Sequence, residues 1–69
     1  MKNTLNQVRL IAAILQSKIN LRVETYNERT EKWKSTDRSD KYERKTYELI
    51  SALDDINRVI DSLENFISR

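Results

Sequence analysis

The sequence predicts an all-α fold: an antiparallel two-helix hairpin that dimerises into a four-helix bundle. Three observations predict it. The 69 residues include no Gly and no Pro, the residues that most often enable hairpin turns, strand bulges and phosphate loops. Apolar positions recur at steps of three and four along two long stretches, which is the period of a helix face. Folded between those stretches, the chain brings their stripes into register.

The first element is a helix over about 3–34, with its stripe on Leu5, Val8, Ala12, Leu15, Ile19, Val23, Tyr26, Thr30 and Trp33. The second is a turn over about 35–38. Nine steps of about 100° separate Trp33 from Tyr42, so one continuous helix would place them on opposite faces and split the core. A reversal within Lys34-Ser35-Thr36-Asp37-Arg38-Ser39 removes the conflict. Ser, Thr and Asp there can accept hydrogen bonds from the orphan amides of the next helix, and Asp37 with Asp40 resembles a capping pair. The third element is a helix over about 39–68, whose seam of Tyr42, Thr46, Leu49, Leu53, Ile56, Ile60, Leu63 and Ile67 steps like a coiled coil. The fold then pairs Trp33 with Tyr42, Tyr26 with Leu49, Ile19 with Ile56, Leu15 with Ile60, Ala12 with Leu63 and Val8 with Ile67, each pair having the same sum of positions.

Charge agrees with this topology. Residues 1–23 carry Lys2, Arg9, Lys18 and Arg22 with no acid, whereas residues 46–69 carry Glu48, Asp54, Asp55, Asp61 and Glu64 against Arg58 and Arg69. Exposed pairs stabilise little individually, but they disfavour the parallel alternative.

Composition narrows the chemistry. Without Cys or His, disulfides, the usual zinc and haem ligands and the common nucleophilic triads are excluded. Acidic pairs at helical spacing, such as Asp61 with Glu64, fall on the face expected to be wet, where no pocket would shift a carboxyl pKa. The expectation is a protein that is not an enzyme and takes no cofactor or metal. No apolar run approaches membrane-spanning length, and Met-Lys-Asn-Thr-Leu lacks a signal-peptide apolar region. A cytoplasmic location, in a bacterial or phage-infected cell, is expected, with no membrane partner.

Two helices shield one stripe each, and apolar residues remain outside those stripes. Leu10, Ile14 and Leu21 lie roughly opposite the main stripe of the first helix. Ala52, Val59 and Phe66 recur every seventh residue beside the seam of the second. Leu10, Ile14, Leu21, Ile50, Val59 and Phe66 are therefore the expected oligomer or partner interface. A partner-contacting tip is expected at Trp33, Lys34, Arg38 and Lys41, since Trp and Arg dominate binding hot spots.

The tip residues 28–45 hold seven cations against five acids. With Trp33, Tyr42 and Tyr47 close by, basic residues interleaved with aromatics admit a nucleic-acid reading, with contacts at Lys18, Arg22, Arg29, Lys41 and Arg44. The interleaved acids favour an ion-paired hairpin end instead.

The segment Trp33-Lys34-Ser35, the run from Tyr42 to Leu49 and the Ile56, Ile60, Leu63 repeat resemble small helical-hairpin proteins of bacteria, phages and mobile elements. That resemblance covers about half of the chain and implies an accessory or regulatory role. In shape the expected fold is similar to the Rop-like four-helix dimers, which bind paired RNA loops, although no residue carries over. The secreted WXG proteins also place a Trp at a helix–helix turn, but Ser35 stands where their motif has Gly. The reading that follows is a non-enzymatic interaction or regulatory protein, a homodimer that binds and modulates another protein by occluding its surface. A Rop-like RNA- or DNA-binding dimer is the alternative.

Overall fold

A computed structural model describes all 69 residues and contains helices and no strand. Two long helices, α1 (Lys2–Glu28) and α3 (Asp37–Ile67), flank a single-turn helix α2 (Glu31–Lys34). The Cα envelope measures 54 × 15 × 12 Å, and at 1.5 Å per residue α3 alone spans about 46 Å of its length. α1 packs against α3. The contacts across them join early residues of one to late residues of the other, as in Arg9 with Glu64 and Arg22 with Thr46.

The first helix stops earlier than the periodicity predicts. Instead of running through residue 34, α1 ends at Glu28, and Arg29 (φ −73°, ψ 154°) and Thr30 (φ −69°, ψ 155°) are extended. Thr30 is thereby an N-cap and not a stripe residue: its hydroxyl accepts from the Trp33 amide at 3.2 Å. Hydroxyls continue the reversal. Ser35 Oγ donates to the Lys32 carbonyl at 2.8 Å, Thr36 Oγ1 donates to the Trp33 carbonyl at 2.6 Å, and Thr36 Oγ1 also accepts from the Ser39 amide at 3.4 Å. Thr36, rather than the Asp37–Asp40 pair, caps α3, while those two acids fill its first turn and favour the positive helix end. No residue has positive φ, so this turn closes without glycine.

Burial follows an alternation of three and four, with Thr25 and Glu43 half-buried beside it. In α1 the inward positions are Leu5, Val8, Ala12, Leu15, Ile19, Arg22 and Tyr26; in α3 they are Ser39, Tyr42, Thr46, Leu49, Leu53, Ile56, Ile60, Leu63 and Ile67. Val23, expected in the stripe, is 44% exposed, and Arg22 takes the seam position. Continuing the steps from Leu15 and Ile19 requires position 22, because a four-residue step to 23 rotates the side chain off the face.

The register near the turn also differs. Trp33 does meet Tyr42, edge-on at 5.9 Å. Tyr26 meets Tyr42 (6.4 Å, stacked) and Ser39, one heptad nearer the turn than Leu49. The early end of α1 is the cause, because residues 29–36 use their own helical turn to fold Trp33 back against Tyr26 at 5.9 Å.

Candidate functional site

The seam has two chemically distinct halves. Toward the chain ends it is aliphatic, from Leu5 to Ile19 and from Leu49 to Ile67. Toward the turn it is polar and aromatic, built on Arg22. Its Nε donates to Thr46 Oγ1 at 2.9 Å and its Nη2 to the Tyr42 carbonyl at 2.9 Å, and the guanidinium lies 4.0 Å from the Tyr42 ring centroid. The Tyr42 hydroxyl returns a hydrogen bond to the Arg22 carbonyl at 3.2 Å, and Thr46 Oγ1 donates to the Tyr42 carbonyl at 3.1 Å. A charge on the seam is tolerated here because its donors find acceptors across the interface and its plane finds an aromatic face. No buried side-chain polar atom is left without a partner.

Tyr26, Trp33 and Tyr42 form the aromatic cluster that closes the turn. Glu43 raises the Tyr26 pKa above 10.0, chiefly by hydrogen bonding to the phenol; the Ser39 hydroxyl, 3.4 Å away, opposes it. Two of the expected tip residues are occupied within the chain. Trp33 is half-buried in the cluster, with Arg29 5.0 Å from its ring centroid, and Lys34 lies 5.4 Å from the Tyr26 centroid and 3.6 Å from Glu31. Arg38 and Lys41 are exposed.

Of the expected nucleic-acid contacts, Arg22 and Lys41 come together and the others do not join them. Lys18, Arg29 and Arg44 are exposed, whereas Arg22 is half-buried in the seam. The structure gathers Arg22 with Arg38, Lys41 and Lys45 around one groove, which includes neither Arg29 nor Arg44.

All six expected interface residues are exposed: Leu10 (62%), Ile14 (48%), Leu21 (63%), Ile50 (36%), Val59 (48%) and Phe66 (62%). They do not form a single patch. Nine residues at about 100° each place Ile50 and Val59 on opposite sides of α3. Ile50 shares a groove of about 220 Å³ with Val23, Tyr26 and Tyr47, while Val59 and Phe66 lie on the other flank. Ile11 and Tyr47 are further exposed apolar residues outside the expected interface, although the spacing of Ile11 to Ile14 and of Tyr47 to Ile50, three residues each, puts them beside it.

No group of three or more His, Cys, Asp or Glu side chains is placed to hold a metal ion, and no helix is long and apolar enough to cross a membrane. Comparison with protein-family models, with curated proteins and with solved structures gave no match.

Proposed function

We infer that the chain is an antiparallel helical hairpin that pairs with a second copy to form a four-helix bundle, and that the bundle acts as a non-enzymatic binding or regulatory protein. One observation carries this reading: three apolar residues are buried, whereas ten large ones are exposed. A single core in a chain below about 70–80 residues rarely supplies more than about 3–5 kcal/mol, and without disulfide or metal the usual remedy is association.

A second copy fits the remaining surface in apolar character and in charge. Leu10, Ile14 and Leu21 form an apolar stripe on the outer side of α1, within a segment whose charges are all basic. The matching half of α3 presents mostly acids. A two-fold arrangement that sets α1 of one copy against α3 of the other covers apolar surface and juxtaposes opposite charges in both halves at once. The resulting rigid helical faces would bind and occlude a partner protein without spending binding energy on folding.

The test is the concentration dependence of thermal unfolding. The midpoint of the native chain should rise with protein concentration, and Leu10→Gln, Ile14→Gln and Leu21→Gln together should abolish that dependence. A midpoint independent of concentration in the native chain contradicts the reading.

A further inference from the structure

At the turn end, α1 and α3 border a shallow groove of about 250 Å³ lined by Arg22, Arg38, Lys41, Tyr42 and Lys45. We propose that this groove is a binding site for phosphate groups, held as oxyanions by Arg22, Arg38, Lys41 and Lys45.

Four of the five lining residues are cations and none is an acid. None of the four is ion-paired. The chain's salt bridges are Arg9 with Glu64, Lys34 with Glu31 and Arg58 with Asp55. Asp37 precedes Lys41 by four residues and Glu48 follows Lys45 by three, spacings that permit pairing on a helix, yet neither pair forms. Clustering like charges has a cost. Lys41 and Lys45 stand four apart on one helix face, Arg38 three before Lys41, and like charges at those spacings destabilise a helix. Arg38 also sits in the first turn of α3, where the helix dipole disfavours a cation. A bound anion would offset each of these costs, and no ion pair within the chain does.

Arg22 gives the groove a fixed element. Two of its five N–H donors are committed to Thr46 and to the Tyr42 carbonyl, which immobilises the guanidinium at the wall and leaves the rest of the fork for oxygen ligands. Arg38, Lys41 and Lys45 are exposed and supply mobile positive charge around that anchor, a division of labour suited to a phosphoryl group. The groove is smaller than the roughly 300–1,000 Å³ of pockets that enclose drug-sized ligands, so it suits a compact anion or one segment of a phosphate chain. Base stacking has little to work with, because Tyr42 is already packed by Arg22, Tyr26 and Trp33. Recognition at this groove is therefore of phosphate charge and not of base identity.

The isotope-labelled full chain is titrated at low salt with tripolyphosphate and, separately, with a short oligothymidylate, and followed by backbone and Arg Nε–H resonances. Saturable shifts are expected at Arg22, Arg38, Lys41 and Lys45, fading as salt rises. Arg38→Gln, Lys41→Gln and Lys45→Gln combined should weaken binding by about tenfold or more, with helicity unchanged. A charge-matched control, Lys2→Gln with Lys32→Gln and Arg44→Gln, should retain it. Saturation by tripolyphosphate assigns the site to free phosphate compounds, and saturation by the oligonucleotide alone assigns it to a nucleic-acid backbone. Absence of shifts at the groove with both probes, or an equal loss in the control, overturns the proposal.

Discussion

Replacing Ile19 by Ala and, in a separate variant, Val23 by Ala tests which residues form the seam. Ile19 is 5% exposed and Val23 is 44% exposed. Ile19→Ala deletes three buried carbons at about 0.8 kcal/mol each, roughly 2.4 kcal/mol, and the better helix propensity of Ala returns about 0.5 kcal/mol, leaving a loss of about 2 kcal/mol. Val23→Ala deletes two carbons that are only about half removed from water, roughly 0.9 kcal/mol, and the same propensity gain leaves less than about 0.5 kcal/mol. At about 4–8 °C per kcal/mol for a domain of this size, the midpoint should fall by roughly 8–16 °C in the first variant and by no more than about 4 °C in the second. Thermal unfolding followed by far-ultraviolet circular dichroism reads both, at one protein concentration because association shifts the midpoint. A Val23→Ala loss as large as that of Ile19→Ala would refute the seam assignment and, with it, the inward placement of Arg22.

Thr36→Ala should destabilise the chain by about 0.5–1 kcal/mol, toward the low end for a cap because its hydrogen bond to Ser39 is long at 3.4 Å. Thr30→Ala should cost less, since it caps only the four residues of α2; denaturant titration of the two variants checks the order. Glu43 holds the Tyr26 pKa above 10.0 in the folded chain, so the protonated phenol contributes stability that is fully present below pH 10 and lost as pH rises through the raised value. Tyr26→Phe should therefore lose less stability than the native chain over that alkaline window. Parallel unfolding curves above and below pH 10 measure the difference, and an identical decline in both proteins would exclude the linkage.

Much of the helical architecture was legible because it rests on periodicity. The seam residues from Leu49 to Ile67 lie inward as their spacing requires, and Ser and Thr between Lys34 and Ser39 mark the reversal. The break at Arg29 and Thr30 was harder to see. It lies within Glu28-Arg29-Thr30-Glu31, where no Gly or Pro interrupts the pattern, and only a Thr able to cap distinguishes it from continuing helix. The place of Arg22 in the seam was hidden for a different reason. The adjacent Val23 is apolar and Arg22 is charged, so hydrophobicity points to position 23 although the step pattern requires position 22. Its compensation comes from Tyr42 and Thr46, twenty or more residues away, and such partnerships become visible only when the helices are placed together. The grouping of Arg22 with Arg38, Lys41 and Lys45, and the separation of Ile50 from Val59, likewise depend on which flank of each helix faces the other.

The claim that matters most is that the exposed apolar surface, above all Leu10, Ile14 and Leu21, is covered by a second copy. Sedimentation equilibrium of the native chain tests it directly. The expected mass is twice that of the 8.2 kDa chain, falling to the single-chain value when those three residues become Gln. A fully helical native protein that sediments at 8.2 kDa across the accessible concentration range would contradict it.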